Sequence, residues 1–419
     1  MSERRRRLAF ISTIFLLPAN AGGKIRSGNI LRGMKGGAFD LTLVMPATPA
    51  QLAQWGAELR AMCDTVVTWP APTELPRWTR AFELLHPLPS NVAHDASREA
   101  RRTVARVLAD GDFDVVVYDF VHGAVLMPPR SGKGRGRARN VCFTHNVEAE
   151  IFERHATQAQ GPLMRRVWAA QAGKMRRFEG EALHRFDRVI AVSQRDASQF
   201  EQAYRLSDAQ VIPTGVDLDF FAWQAPTPAT ATAAPTVVFT GLMDWAANVD
   251  GVRFFLAEVW PLVLARRPDA RFVVVGRHPP PALVREADQI TGVRFTGFVD
   301  DVRDYVRPAQ AFVIPLRVGG GTRIKAFEAM AMGCPVVSTA IGIEGLGVTA
   351  GEHYLLADSA PEQAAAILGL FDAPQQGLAL ATAARSLVEN RYGHRVAARA
   401  FEQICLGART RAPAAALSA

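Results

Sequence analysis

The chain has 419 residues, 48 Lys and Arg against 40 Asp and Glu, and 49% hydrophobic residues. It is too long for one ordinary hydrophobic core, so two domains are expected, and its even composition excludes collagen-like, coiled-coil and wholly disordered classes. Cys63, Cys142, Cys334 and Cys405 stand too far apart for a zinc module or a disulfide framework, which fits a reducing, cytoplasmic compartment. The net charge of +8 is concentrated in Arg4–Arg7 and in the Gly-Arg loop from Pro129 to Arg139; the remainder is nearly neutral. No basic stripe of the kind that grips nucleic acid is expected, and an anionic membrane surface is the better partner for such an excess.

In chain order, Val/Ile/Phe-rich runs alternate with helical stretches, the pattern of parallel sheets wrapped by helices. The first half offers strands at Leu8–Phe15, Leu41–Met45, Thr65–Thr68, Val115–Asp119, Val141–Thr144, Arg188–Val192 and Val211–Val216. The opening run and Ala19-Asn20-Ala21 imitate an export signal, but the same run reads as a buried strand leading through Gly22 and Gly23 into a helix, the start of a nucleotide-binding-type unit. The stretch from Ala222 to Pro235, rich in Pro, Ala and Thr, reads as a linker. Strands then resume at Val237–Thr240, Arg271–Val275, Val293–Thr296, Ala311–Ile314, Pro335–Ser338 and Tyr354–Ala357. The expected fold class is therefore α/β, two doubly wound Rossmann-like domains facing across a cleft. Its expected segments are residues 1–216, a linker 217–236, residues 237–380, a helix at 381–407 that crosses back to the first domain, and a disordered tail at 408–419. No run reaches the roughly 20 apolar residues of a membrane span.

The strongest chemical signal is the segment Arg317–Pro335. A strand runs into Gly319, Gly320, Gly321 and Thr322, and a helix follows that carries Arg323, Lys325 and Glu328. Glycines allow close backbone approach and helix-start N–H groups attract anions, while Arg323 and Lys325 add full positive charge. Lys325 is one of five lysines in a chain that otherwise uses arginine. A carboxylate at Glu328 can accept hydrogen bonds from vicinal hydroxyls, so the segment suits a phosphate next to a hydroxylated ring.

From Gly241 to Asp358 the chain resembles the donor domain of the family 4, retaining, nucleotide-sugar-dependent glycosyltransferases of the GT-B fold, close to a bacterial subgroup tied to exopolysaccharide production. The resemblance is carried by Phe239–Asp250, Val275–Arg277, Thr296–Phe298, Gly320–Gly333 and Ser338–Leu346, and upstream by Thr144–Asn146, Phe186–Ser193 and Ile212–Asp217. It implies transfer of a hexose-type sugar from a UDP or GDP sugar to a glycan or lipid-linked acceptor. The second domain would hold the donor and the first the acceptor.

The family's Glu-x7-Glu signature matches at Glu328, the ribose position, whereas its first carboxylate is replaced by Gly320. The Arg and Lys that often hold the diphosphate are replaced by Leu242 and a non-basic segment ending in Asp250 and Gly251, so Arg323 and Lys325 are expected to compensate. Gly22 and Gly23 match the loop that approaches the diphosphate, and His145 matches a position near the donor sugar. The expected catalytic set is His145, Arg323 and Lys325; the expected donor-binding set is Gly22, Gly23, Gly241, Arg277, Phe298, Gly320, Gly321, Thr322 and Glu328.

No cofactor or metal is expected, since the Asp-x-Asp spacings at Asp110–Asp114 and Asp217–Asp219 read as turns. No carboxylate pair suggests a hydrolase. The segment Arg165–Phe178 interleaves bases with apolar residues at helical spacing, as an interfacial helix does. A sugar-nucleotide epimerase and a non-catalytic membrane- or polyanion-binding module are the competing readings.

Overall fold

The computed structural model describes residues 5–19, 22–71, 84, 86–129, 138–159, 161–212, 215–224, 234–318 and 323–408. Gly319, Gly320, Gly321 and Thr322, most of the Gly-Arg loop, residues 225–233 of the linker, and all but the first residue of the expected tail lie outside the described residues. Two compact units separate: one takes residues up to Gly215 and those from His394 onward, the other Val216–Gly393.

Among the described residues of the first unit, seven parallel strands form one sheet. They are β1 (Arg6–Ser12), β2 (Phe39–Ala47), β3 (Thr65–Pro70), β4 (Val115–Asp119), β5 (Arg139–Phe143), β6 (Arg188–Ala191) and β7 (Ala209–Val211), in the order β3-β2-β1-β4-β5-β6-β7. The run that imitates an export signal is thus a central strand, with Leu8 level with Leu41 on one side and Val115 on the other. The helices are α1 (Gly22–Met34), α2 (Pro49–Met62), α3 (Ser90–Asp95), α4 (Arg98–Asp110), α5 (Glu148–Gln158), α6 (Pro162–Leu183) and α7 (Gln194–Tyr204).

Their starts follow from capping chemistry. Thr48 and Gln51 form a reciprocal capping box ahead of α2, with Pro49 at its first position, and Ser97 and Ser193 accept N–H bonds at α4 and α7. The strand expected at Val211–Val216 lies earlier in the chain, at Ala209–Val211, and shares only Val211 with that range; a proline at 213 has no N–H with which to extend a ladder.

The second unit repeats the plan. Its strands are β8 (Thr236–Thr240), β9 (Arg271–Val275), β10 (Val293–Gly297), β11 (Ala311–Ile314), β12 (Val336–Ser338) and β13 (Leu355–Leu356), all parallel, in the order β10-β9-β8-β11-β12-β13. The helices are α8 (Ala246–Phe254), α9 (Trp260–Arg266), α10 (Pro281–Ala287), α11 (Arg303–Val306), α12 (Ile324–Ala331), α13 (Ala360–Asp372) and α14 (Pro374–Leu387). Both faces of each sheet are covered, so the strands read as continuous apolar runs; all of β11 is buried.

The final helix, α15 (His394–Leu406), belongs to the first unit and packs on α1. Ala397, Ala398, Phe401, Ile404 and Cys405 join the core under β1 and β2. A Cβ on Gly33 would collide with that of Ala398, so the glycine sets how closely the two helices approach. In each sheet the strand order reverses once, between β1 and β4 and between β8 and β11, and ligands of such sheets sit at the carboxyl ends beside that reversal.

Candidate functional site

In the second unit the reversal point is occupied by Gly241, Asn248, Lys325 and Glu328. Gly241 follows β8 directly; a Cβ there would stand 2.7 Å from Nδ2 of Asn248 and 2.8 Å from Nζ of Lys325. A Cβ on Gly276 would in turn collide with the carbonyl oxygen of Gly241. Bare backbone is therefore required where the two strand ends meet the side chains above them. Asn248, buried in the first turn of α8, donates from Nδ2 to the carbonyl of Leu242 at 2.7 Å, and its Oδ1 accepts from Nζ of Lys325 at 3.0 Å. The same ammonium lies 4.2 Å from the ring centroid of Phe239.

Burial dominates the electrostatics of this cluster. Desolvation, with repulsion from Arg323, pulls Lys325 down to about 7 against the attraction of Glu328. Desolvation also pushes the carboxyl of Glu328 up to about 7, with Lys325 opposing it. Among the described residues no hydrogen-bond or ion-pair partner is found for that carboxyl, which leaves it able to receive a ligand's hydroxyls. Arg323 is buried just before α12, gives its Nε–H to the carbonyl of Ile341 at 3.2 Å and reaches within 6.0 Å of the Trp245 ring. Arg277 stacks 5.6 Å over Phe298, whose ring is 65% exposed after β10. Leu242, Trp245, Val318 and Ile341 are further exposed large apolar side chains following β8, β11 and β12 on this edge. Arg317 is held by both carboxylate oxygens of Asp250, at 2.6 and 3.1 Å.

In the first unit the reversal point carries a closed polar network. Asp119 ends β4 and accepts from Ser12 Oγ at 3.1 Å, from Ser27 Oγ at 2.8 Å and from Nε2 of His145 at 2.8 Å. Nη1 of Arg26 lies 3.1 Å from Nδ1 of His145. A guanidinium can only donate, so Nδ1 accepts and the ring proton sits on Nε2, facing Asp119. Burial, aided by the Arg26 charge and opposed by Asp119, lowers the histidine's pKa and favours this neutral form. His145 is packed between Phe120 and Phe143, at centroid distances of 4.2 and 4.4 Å. Gly23 makes room for Phe120, which holds a left-handed backbone with φ 63°, and Gly22 faces open space.

Two networks near His145 were not anticipated. His122 sits between Asp95 of α3 and Glu148 of α5, at 3.5 and 3.6 Å. Burial alone would lower its pKa, but hydrogen bonds to both carboxylates carry it up to about 10. Glu179 of α6, buried and pushed up to about 7, accepts the backbone N–H groups of Glu148 and Ala149 and thereby caps α5. Of the two Asp-x-Asp spacings, Asp217 closes a local turn by accepting the N–H groups of Asp219 and Phe220, whereas Asp114 accepts the N–H of Arg7 at the start of β1, 107 residues away.

Of the residues singled out by sequence, the structure brings Gly241, Lys325 and Glu328 together with Arg323 close by, and puts Arg277 and Phe298 in contact after β9 and β10. In the other unit Gly23 packs against Phe120, which in turn lies against His145, while Gly22 faces open space. Sequence reading missed Asn248, Asp119, Arg26 and Ser27. A signal existed for Asp119, a carboxylate ending an otherwise apolar strand, and none for the others until helix phase was known.

Residues 41–220 match the family model described as Glycosyltransferase Family 4, and residues 234–373 match that described as Glycosyl transferases group 1. Over 279 residues the chain is 28% identical to the phosphatidyl-myo-inositol mannosyltransferase of Mycolicibacterium smegmatis, covering 65% of this chain and 66% of that protein, just under two thirds of the relative. The fold is similar to that of sucrose-phosphate synthase from Thermosynechococcus elongatus, with a TM-score of 0.66, 18% identity, and 96% and 98% of the two chains covered. It is also similar to that of Anabaena HepE in complex with UDP, with a TM-score of 0.64, 16% identity, and 96% and 100% covered. With these two family models following one another along most of its length, on two doubly wound sheets, the chain belongs to the GT-B glycosyltransferases of family 4 and group 1.

Proposed function

We propose that the protein transfers a hexose-type sugar, with retention of configuration, from a nucleoside diphosphate sugar to a glycan or lipid-linked acceptor in the assembly of exopolysaccharide or another surface glycan. The observation that carries this reading is the carboxyl of Glu328, which has no hydrogen-bond or ion-pair partner among the described residues, beside Lys325 at the carboxyl ends of β8 and β11. Glu328 receives the ribose hydroxyls, and Lys325 and Arg323 face the diphosphate, whose charge grows as the glycosidic bond breaks. Fixed cations in a desolvated place stabilise that charge far better than in water. The exposed pair of Phe298 and Arg277 and the apolar rim of Leu242 and Trp245 offer a flat surface to the base.

In the first unit, Gly22, which faces open space, is the residue left to admit the transferred sugar, since Phe120 fills the space beside Gly23 and both ring nitrogens of His145 are engaged by Asp119 and Arg26. The proton of the acceptor hydroxyl passes to the departing phosphate, so no protein base is required, and Arg323 and Lys325 supply the positive charge that a metal ion would otherwise bring to the diphosphate. UDP and GDP are the favoured nucleotides. The Mycolicibacterium relative's name supports a mannosyl donor and a lipid acceptor, and the HepE complex supports a uridine nucleotide. A cytoplasmic protein lying at an anionic membrane face completes the reading. It is supported by Leu163, 73% exposed, and Met164, 46% exposed, beside the exposed Arg165 and Arg166 at the start of α6.

The test is thermal unfolding with UDP, GDP, ADP and dTDP and their common sugar conjugates, on wild type, Glu328→Ala and Lys325→Ala. A nucleotide at 100 times its Kd adds about 2.7 kcal/mol of stability. One base should stabilise the wild type and neither variant; no shift with any nucleotide would remove the reading.

A further inference from the structure

Lys325 stands in for the basic residues that the loop after β8 lacks, and a lysine does this only if its flexible stem is held. A free ammonium on four methylene groups loses rotamer entropy when a ligand fixes it. The structure supplies a holder. Nδ2 of Asn248 lies 2.7 Å from the carbonyl oxygen of Leu242, where only a donor fits, so the amide's orientation is fixed and Oδ1 must face the other way. In that direction lies Nζ of Lys325, 3.0 Å distant. The face of Phe239 closes a second side of the ammonium at 4.2 Å, and the missing Cβ of Gly241 leaves the space in which the amide and the ammonium meet.

We propose that Asn248 is the positioning residue for Lys325: tethered to the loop by one end of its amide, it holds the ammonium at the carboxyl end of β8 for the diphosphate of the donor. The inference rests on the donor-site reading and deepens it. Gly241 acquires a distinct task, since any side chain there would displace the pair rather than merely block a ligand. Asn248 itself touches no reacting atom; it acts through the lysine.

The experiment is calorimetric titration of the full chain with the nucleoside diphosphate that binds wild type best, and with the matching nucleoside, which carries no phosphate. Asn248→Ala should weaken diphosphate binding roughly tenfold, the scale of one hydrogen bond to a charged group, and leave the nucleoside within about twofold. In a double-mutant cycle, Asn248→Ala should add nothing once Lys325→Met is present. Should Asn248→Ala fold poorly, Asn248→Ser, too short to reach Nζ, takes its place with the same expected split. Equal weakening of nucleoside and diphosphate, unchanged diphosphate binding, or additive losses in the cycle would each overturn the positioning role while leaving the donor site standing. A wild type that binds no nucleoside diphosphate would overturn the donor-site reading and this inference with it.

Discussion

Lys325 is a charged group the fold places at a cost, and the cost has a pH window. Burial draws its pKa down to about 7 from the ordinary 10.5. Between those values the unfolded chain binds more protons than the folded one, so this group's contribution to stability rises with pH across the window. The penalty is fully present below about 7 and gone above 10.5. Lys325→Met should therefore raise the unfolding midpoint most at pH 7, and the advantage should shrink towards pH 10. Glu328, deprived of its lysine, ionises later and works in the same direction. A difference that stays constant with pH would mean that the ammonium is solvated in the folded chain. At this scale the sequence announced Lys325 and Glu328 through rarity and spacing. Asn248 was hidden because an asparagine in a loop-to-helix segment has many duties, and only the 3.0 Å contact selects one. His145 was legible as a polar residue at a strand end, but its tautomer was not, since Arg26 and Asp119 approach it from α1 and β4, 119 and 26 residues away.

Among the elements, strands were the most legible, because a sheet buried on both faces leaves uninterrupted Val, Ile and Phe runs. Val115–Asp119, Arg271–Val275 and Ala311–Ile314 are read from sequence with the bounds they have in the structure. Helix faces were less so. The segment Arg165–Phe178 reads as one interfacial surface, yet Gln171, Ala172 and Met175 are buried. Lys174 is occupied by the carbonyls of Leu84 and His86, and Arg176 by Glu153. The exposed large apolar side chains of α6, Leu163 and Met164, lie at its start beside the exposed Arg165 and Arg166. Leu163→Glu with Met164→Glu should accordingly abolish co-flotation of the protein with vesicles containing anionic lipid, whereas Lys174→Glu should not. Flotation unaffected by the double substitution would assign the membrane contact elsewhere.

Over the whole molecule, the chain passes from the first unit to the second after Gly215 and returns before His394. The returning helix α15 contributes Phe401 and Ile404, both fully buried, to the core under β1 and β2. Burying two such side chains contributes roughly 3 to 6 kcal/mol, a large part of the roughly 5 to 15 kcal/mol that stabilises an ordinary domain. A chain ending at Gly393 should thus lose the first unit's cooperative unfolding while keeping that of the second. Two intact transitions in its calorimetric trace would contradict this. The pairing of distant segments escaped sequence reading in detail, because the close approach of Gly33 and Ala398 depends on two small residues that no periodicity marks.

That return also dictates an order of events during synthesis. Translation proceeds at about 5 to 20 residues per second, so roughly ten to forty seconds separate the emergence of Gly215 from that of Leu406. Throughout that interval the nascent first unit carries all its strands but leaves the flank of α1 bare, a greasy surface with no partner yet made. Ribosome-bound chains halted before His394 should therefore expose this flank and be the ones that chaperones retain.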